Sequence, residues 1–555
     1  MGREIVATLV YFILLQKSSC SLIDNVLPVK YLGERVSKTA FFFNASAIHR
    51  SFAIDLPEAE SFCVDLTTEK IISIGATANV RKVCSNTSKE VNLGGGIVMP
   101  GFVDSHFHIL YGGLMLSRPR LHNCKSPNEV VRTLKDFVRN NPITDGQWLQ
   151  GFGWDQNLFP MKHFPTKEDL DAEFPQIPVW LERIDGHAGW GNTAALIAKG
   201  VFIPSSGDVV GGHIVRDEQG DATGIFTDNA MNLITKHIPV PTKKEKIKAL
   251  KLALSSAAMN GITAVQNPGI DYNDVALFKE AVDTGLLTLR HDAMWLAESG
   301  DSLGQAAKPT TPRINNYKNR FSVRAVKFFM DGALGSWGAS MLEPYDDRPT
   351  ESGQLRMPEK EYRKKISRWV KNGYQIATHA IGDRANRIVI DAYRDICKNL
   401  SKSSSRDSVG LAPDLRLRIE HFQIVNLSDI PRINIPTKSN PESGLPGSCI
   451  FVSMQPAHAT ADMQFAERRL GKKRVRGAYA WSRILKEGAN GIAFGSDWPT
   501  VGKVPPLLGV YAAITRKDLN GSPLHGWYAD ECVTRTVALK GRKDLLHVRK
   551  HEDLA

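Results

Sequence analysis

The sequence predicts an α/β protein: a closed barrel of eight parallel strands, preceded by a small β-sheet unit and interrupted by a large insertion after its first strand. Three observations predict it. From Gly101 onward, short apolar strands alternate with helix-length amphipathic segments, the pattern of a parallel sheet. Eight strand candidates can be counted in that region. The interval 110–240 is too long for one strand-to-strand connection and must hold a subdomain of its own. At 555 residues the chain exceeds a single simple core.

The chain begins "MGREIVATLVYFILLQKSSCS": a short charged start, an apolar run Ile5–Leu15, then small residues. That layout predicts a signal peptide over 1–20, cut near Cys20, or an uncleaved signal-anchor, and so a secretory-pathway location. Only this segment is expected to attach the chain to a membrane, because no internal stretch reaches the ~18 apolar residues a span needs. Sequons at Asn44, Asn86, Asn399, Asn426 and Asn520 are compatible with glycosylation on that route.

Residues 27–100 read as short strands with turns ("TAFFFNASAI", "ESFCVDLTTEKIISIG", "KEVNLGGGIVMPG"), hence a small sheet unit. The barrel follows over 101–520. Its strand candidates are 102–108, 261–267, 286–294, 323–330, 374–380, 415–421, 450–456 and 491–497, with helical patterns such as 359–373 and 385–398 between them. The insert over about 110–240 carries "WLQGFGWDQN", "VWLERIDGHAGWGN" and "GGHIVRDEQGDATGIF".

Composition excludes some classes. With 42% hydrophobic and 23% charged residues, the chain is an ordinary globular protein. The net charge of +12 invites a nucleic-acid partner. Its basic residues, however, lie on helix-like segments such as 243–260, which read as solvated faces, and no helix-turn-helix, zinc-finger or stacking pattern accompanies them. No nucleic-acid partner is expected. Cys20, Cys63, Cys84, Cys124, Cys397, Cys449 and Cys532 show no CxxC spacing, so neither a zinc ribbon nor a disulfide scaffold is expected. Cys63 with Cys84 is one pair able to bridge in an oxidising compartment.

The chemistry lies where polar residues interrupt the barrel strands. Alternate strand residues share a face, so "GFVDSHFHIL" (101–110) places His106 and His108 side by side at the end of the first strand. The fourth strand carries Lys327, the fifth ends near His379, the sixth ends in His421 and the eighth in Asp497. Barrel active sites gather at the C-terminal ends of strands, so all six converge on one cavity. Neutral imidazoles hold zinc or a similar divalent ion, which lowers the pKa of bound water to around 7. A carboxylate beside that water can take its proton and pass it to a leaving amine. A buried lysine with a lowered pKa can react with CO2 to become an anionic carbamate ligand.

The same segments carry a resemblance. "GGGIVMPGFVDSHFH" resembles the opening of the amidohydrolase superfamily, where a β-sandwich chain enters a metal-binding barrel. "VKFFMDGALGSWGA", "ATHAIGDRANRIVIDAY", "LRIEHFQIV", "VSMQPAHA", "GSDWPTV" and "DGHAGWGN" narrow it to the amidohydrolase 3 branch, which includes N-substituted formamide deformylases and plant long-after-far-red-type proteins. The resemblance runs from about residue 35 to 540.

It implies a (β/α)8 metal-dependent hydrolase barrel, with 27–100 as the N-terminal part of a sandwich. The implied metal ligands are His106, His108, His379 and His421. Lys327, in carboxylated form, is implied as a bridging ligand, and Asp497 as ligand and general base. The implied cofactor is a divalent metal, zinc foremost, as one or two ions. His187 matches a histidine near the substrate, either polarising a carbonyl or serving as a structural hydrogen-bonder, and His213 is expected to be structural. Trp154, Trp190, Trp337 and Trp498 flank the motifs, walling an apolar pocket or packing in the core.

The implied reaction cuts a carbon–nitrogen, non-peptide bond of a small amide or N-substituted formamide by attack of metal-bound hydroxide. The alternative role is a non-catalytic scaffold for binding or signalling. One departure stands out at the end: after "TRTVALKG" the chain reads "RKDLLHVRKHEDLA", so 521–555 form an atypical, apparently truncated segment. Strands that should return to the sandwich are missing there, predicting an unpaired edge and exposed apolar surface on 27–100.

Overall fold

The computed structural model describes residues 38–542, apart from 52–53, 57–58, 85, 87, 298–306, 404–414, 436–447 and 488–490. The expected signal segment and the residues after 542 lie outside the described ones. No described helix is long and apolar enough to cross a membrane.

All eight strand candidates form. They are β1 (Phe102–Asp104), β2 (Ile262–Ile270), β3 (Arg290–Leu296), β4 (Phe321–Phe329), β5 (Gln375–Ala380), β6 (Leu417–His421), β7 (Ile450–Met454) and β8 (Ile492–Phe494). Neighbours pair in that order and in parallel. β5, β6 and β7 are buried at nearly every position, which is why they read as continuous apolar runs rather than alternating ones.

The first strand is shorter than expected. β1 stops at Asp104, whose carboxylate accepts the His106 N–H at 3.1 Å, taking that group out of any strand ladder. His108 then caps helix α1 (Ile109–Met115). Helix α2 (Lys243–Met259) packs on α1 so closely that a Cβ on Gly113 would meet the Ala249 carbonyl oxygen at 2.1 Å.

The insert folds as a subdomain. Leu149–Trp154, Val179–Arg183, Ala188–Gly191, Ala222–Asp228 and Gly212–Arg216 form a five-stranded mixed sheet with apolar clusters of its own. Trp154 and Trp190 are core residues there, Trp498 packs in the barrel core, and Trp337 is stacked between Arg348 and Arg469. None of the four walls the cavity: their large apolar surfaces are spent on packing.

Before the barrel lie two small sheets, of four and three strands, whose side chains share one apolar cluster around Phe42, Ile48, Phe62 and Val98. Ile71 and Ile72 on the edge strand Lys70–Gly75, and Val83, are exposed. Among the described residues two disulfides are present, Cys63–Cys84 and Cys397–Cys449. The second joins cysteines 52 positions apart, which spacing alone could not pair.

Candidate metal centre

The expected ligands meet at the C-terminal mouth of the barrel. His106, His108, Lys327, His379, His421 and Asp497 all line one cavity of about 270 Å³, which residues of the insert also line. Donor atoms of His106, His421 and Asp497 lie within 4.8 Å of one another. Asp497 Oδ1 stands 3.4 Å from His106 Nε2 and 3.2 Å from His108 Nε2, and its Oδ2 stands 4.0 Å from His421 Nδ1. The His379 ring lies 4.3 Å from that of His421, centroid to centroid. Both His421 and Asp497 have positive φ, 75° and 57°, a conformation costly for non-glycine residues and concentrated at functional sites.

His106 and His379 are held from behind. Glu420 Oε2 accepts a hydrogen bond from His106 Nδ1 at 2.7 Å, while Arg418 Nε donates to Glu420 Oε1 at 2.5 Å. With Nδ1 so engaged, the His106 Nε2 lone pair faces the cavity. His379 Nε2 lies 3.6 Å from Asp331, whose carboxylate accepts the backbone N–H groups of Ser340, Ile381 and Gly382. Lys327 is buried with its Nζ 4.8 Å from the centroid of the Phe329 ring.

Burial governs the ionisation of these groups. It drives His106 down to about 4, against the pull of Asp497, and holds His379 and His421 well below an ordinary histidine. It lowers Lys327 to about 8, against the attraction of Glu420 and Asp497. Asp497 goes the other way: burial opposes its charge, but His106, the His108 hydrogen bond and His458 outweigh that and hold it ionised. At neutral pH His106, His379 and His421 are therefore neutral imidazoles beside an ionised Asp497.

That donor set fits a divalent ion. The buried nitrogens His106 Nε2, His421 Nδ1 and His458 Nε2 have no hydrogen-bond partner, a costly arrangement for polar atoms unless they serve as ligands. A sequence profile described as the amidohydrolase family matches residues 89–540. The chain belongs to the amidohydrolase 3 family. As a member it is a hydrolase with a divalent-metal site.

Among relatives of this amidohydrolase, protein LONG AFTER FAR-RED 3 of Arabidopsis thaliana is 31% identical over 497 residues, covering 87% of this chain and 79% of its own. YtcJ of Bacillus subtilis (strain 168), named as a candidate amidohydrolase, is 31% identical over 464 residues, covering 83% and 81%. In fold, the amidohydrolase chain is similar to an uncharacterized metal-dependent hydrolase of Pyrococcus horikoshii, with TM-score 0.66 and 23% identity over 91% of each chain.

The insert of this amidohydrolase contributes His187. Its Nδ1 lies 2.7 Å from Asp228 Oδ1, and its ring centroid 4.9 Å from that of His379, at the cavity wall. The glycines of "DGALGSWG" make room for that carboxylate: a Cβ on Gly332 would stand 2.4 Å from Asp228 Oδ2. Burial disfavours a charged His187, but the Asp228 hydrogen bond and charge outweigh it and raise its pKa. His213 instead pairs with Asp208 at 2.7 Å, outside the cavity lining.

Sequence reasoning missed Glu420, Asp228, Asp331 and His458. His458 Nε2 lies 3.4 Å from Asp497 Oδ2, at the start of helix α3 (Pro456–Asp462). Its signal was the "PAHA" motif, in which only a strand end was sought.

Proposed function

We propose that this amidohydrolase cleaves a carbon–nitrogen bond of a small non-peptide amide, N-substituted formamides included. The observation that carries the reading is the convergence of unpartnered His106 Nε2 and His421 Nδ1 on Asp497 inside one cavity. A volume of about 270 Å³, at the lower end of small-molecule sites, favours a small amide over a polypeptide.

His106, His108, His379, His421 and Asp497 would hold zinc or a similar ion, as one site or two, with Lys327 joining as a carbamate. An amine lowered to about 8 is partly neutral at physiological pH, and its lone pair can add to CO2 with loss of a proton. When bound, a divalent ion supplies Lewis acidity and makes water a nucleophile at neutral pH.

The residues do the rest. Asp497 takes a proton from the attacking water and delivers it to the amide nitrogen as the C–N bond breaks, leaving a carboxylic acid and an amine. His187, kept protonated by Asp228, donates from Nε2 to the carbonyl oxygen as negative charge develops there.

We also propose a secretory-pathway location. Two disulfides, Cys63–Cys84 and Cys397–Cys449, support it, because such bonds persist in oxidising compartments.

The test is metal content per chain by elemental analysis of protein purified without chelators, with His106→Ala/His108→Ala as control, followed by an amide panel. One or two equivalents lost in the variant, with amine release from formamides or other small amides, is the expected result. Folded wild-type protein without metal would overturn the ligand assignment and favour the scaffold role.

A further inference from the structure

Strands β1 and β8 carry His106 and Asp497 just past their ends, yet the strand path does not pair these two strands with each other. Two residues that follow helix α4 (Arg535–Lys540) fill the seam. Phe494 N donates to the Gly541 carbonyl at 2.7 Å, and Val103 N donates to the Arg542 carbonyl at 2.9 Å. The expected division at residue 520 therefore cuts through the barrel.

The Arg542 side chain then turns inward. Its Nη1 donates to Asp104 Oδ2 at 3.0 Å, and neither side chain is more than 2% exposed. The other oxygen, Asp104 Oδ1, accepts two backbone N–H groups: His106 at 3.1 Å and Ser496, the residue before Asp497, at 2.9 Å. Asp497 N in turn donates to the His106 carbonyl at 2.7 Å. Space is kept for the guanidinium, since a Cβ on Gly509 would stand 2.2 Å from Arg542 Nη2.

We propose that Arg542 is a positioning residue for the metal centre, acting through Asp104 to set the spacing of His106 and Asp497. The inference rests on the proposed ligand set. Its physical basis is that a carboxylate in a dry seam needs a cation, and this carboxylate accepts from both ligand-bearing backbones, beside the direct Asp497 N–His106 O and His108 N–Trp498 O bonds. Buried ion pairs are poor stabilisers compared with apolar packing, so the pair's use lies in the geometry it fixes.

The test measures zinc affinity by competition with a chromophoric chelator, the visible absorption of the cobalt-loaded protein, and thermal unfolding. The variants are Arg542→Ala, Asp104→Asn and the double variant, with Ile366→Ala as a core-destabilising control, because Ile366 is buried under the barrel on 359–371. Arg542→Ala is expected to lose roughly 10–100-fold in zinc affinity and to change the cobalt spectrum. The double variant should be no weaker than the weaker single one, and Ile366→Ala should lower the melting temperature with affinity intact.

Wild-type affinity and spectrum in folded Arg542→Ala would overturn the proposal, as would a loss that Ile366→Ala reproduces. If Arg542→Ala does not fold, the near-isosteric Asp104→Asn decides in the same way. Wild-type protein that binds no zinc would overturn the ligand set itself; wild-type binding with indifferent variants would overturn this proposal alone.

Discussion

Glu420 accepts a hydrogen bond from His106 at 2.7 Å across 314 positions of sequence, with both side chains at most 1% exposed. The contact orients one imidazole and makes it a better donor. Glu420→Gln should therefore lower metal affinity by about 10–100-fold. The change also removes the carboxylate that faces buried Arg418, at a cost of about 3–5 kcal/mol. Metal titration and urea unfolding check the two effects separately.

His187 should matter for turnover rather than for metal retention. His187→Gln removes a donor aimed at the developing oxyanion and should lower kcat by roughly 10²–10³-fold. Asp228→Asn should mimic it at alkaline pH by lowering the pKa of His187. Steady-state kinetics on a confirmed amide, beside elemental analysis, would sink the idea if metal content fell instead of kcat.

Asp462 lines the cavity on α3 and accepts the Tyr479 hydroxyl at 2.6 Å; burial raises its pKa to about 7. A carboxyl with a folded pKa above its unfolded value binds more protons in the native state, so stability falls as pH rises from about 4 to about 7. Asp462→Asn should remove that slope and gain stability, relative to wild type, at pH 8 but not at pH 4. Chemical denaturation across that range measures it.

The Cys397–Cys449 disulfide ties the helix at 383–403 to the start of β7. For a loop of 52 residues, chain-entropy arguments give a stabilisation of roughly 4 kcal/mol. Cys397→Ser/Cys449→Ser should unfold at correspondingly lower denaturant concentration, and reductant should shift wild type the same way. Equal midpoints would show the bond does not form.

Much of the barrel was legible in the chain itself. Short apolar strands alternating with helical patterns located all eight barrel strands, and the polar residues interrupting five of them brought His106, His108, Lys327, His379, His421 and Asp497 to one end. That reading works because strand burial and strand-end exposure are local properties, written in neighbouring residues. Glu420, by contrast, is one more charged residue beside a histidine until β6 is laid in the barrel. Only there does its carboxylate meet His106 from β1.

Asp228, Cys449 and Arg542 share that fate. Nothing local marks Asp228 as the partner of His187, Cys449 as the partner of Cys397, or a basic residue near the end of the chain as the clamp on Asp104. The sequence by itself determined that His106, His108, Lys327, His379, His421 and Asp497 would face one cavity. The tertiary structure decided what stands behind them, because a hydrogen bond or a disulfide between distant residues exists only once the closed barrel brings both partners within reach.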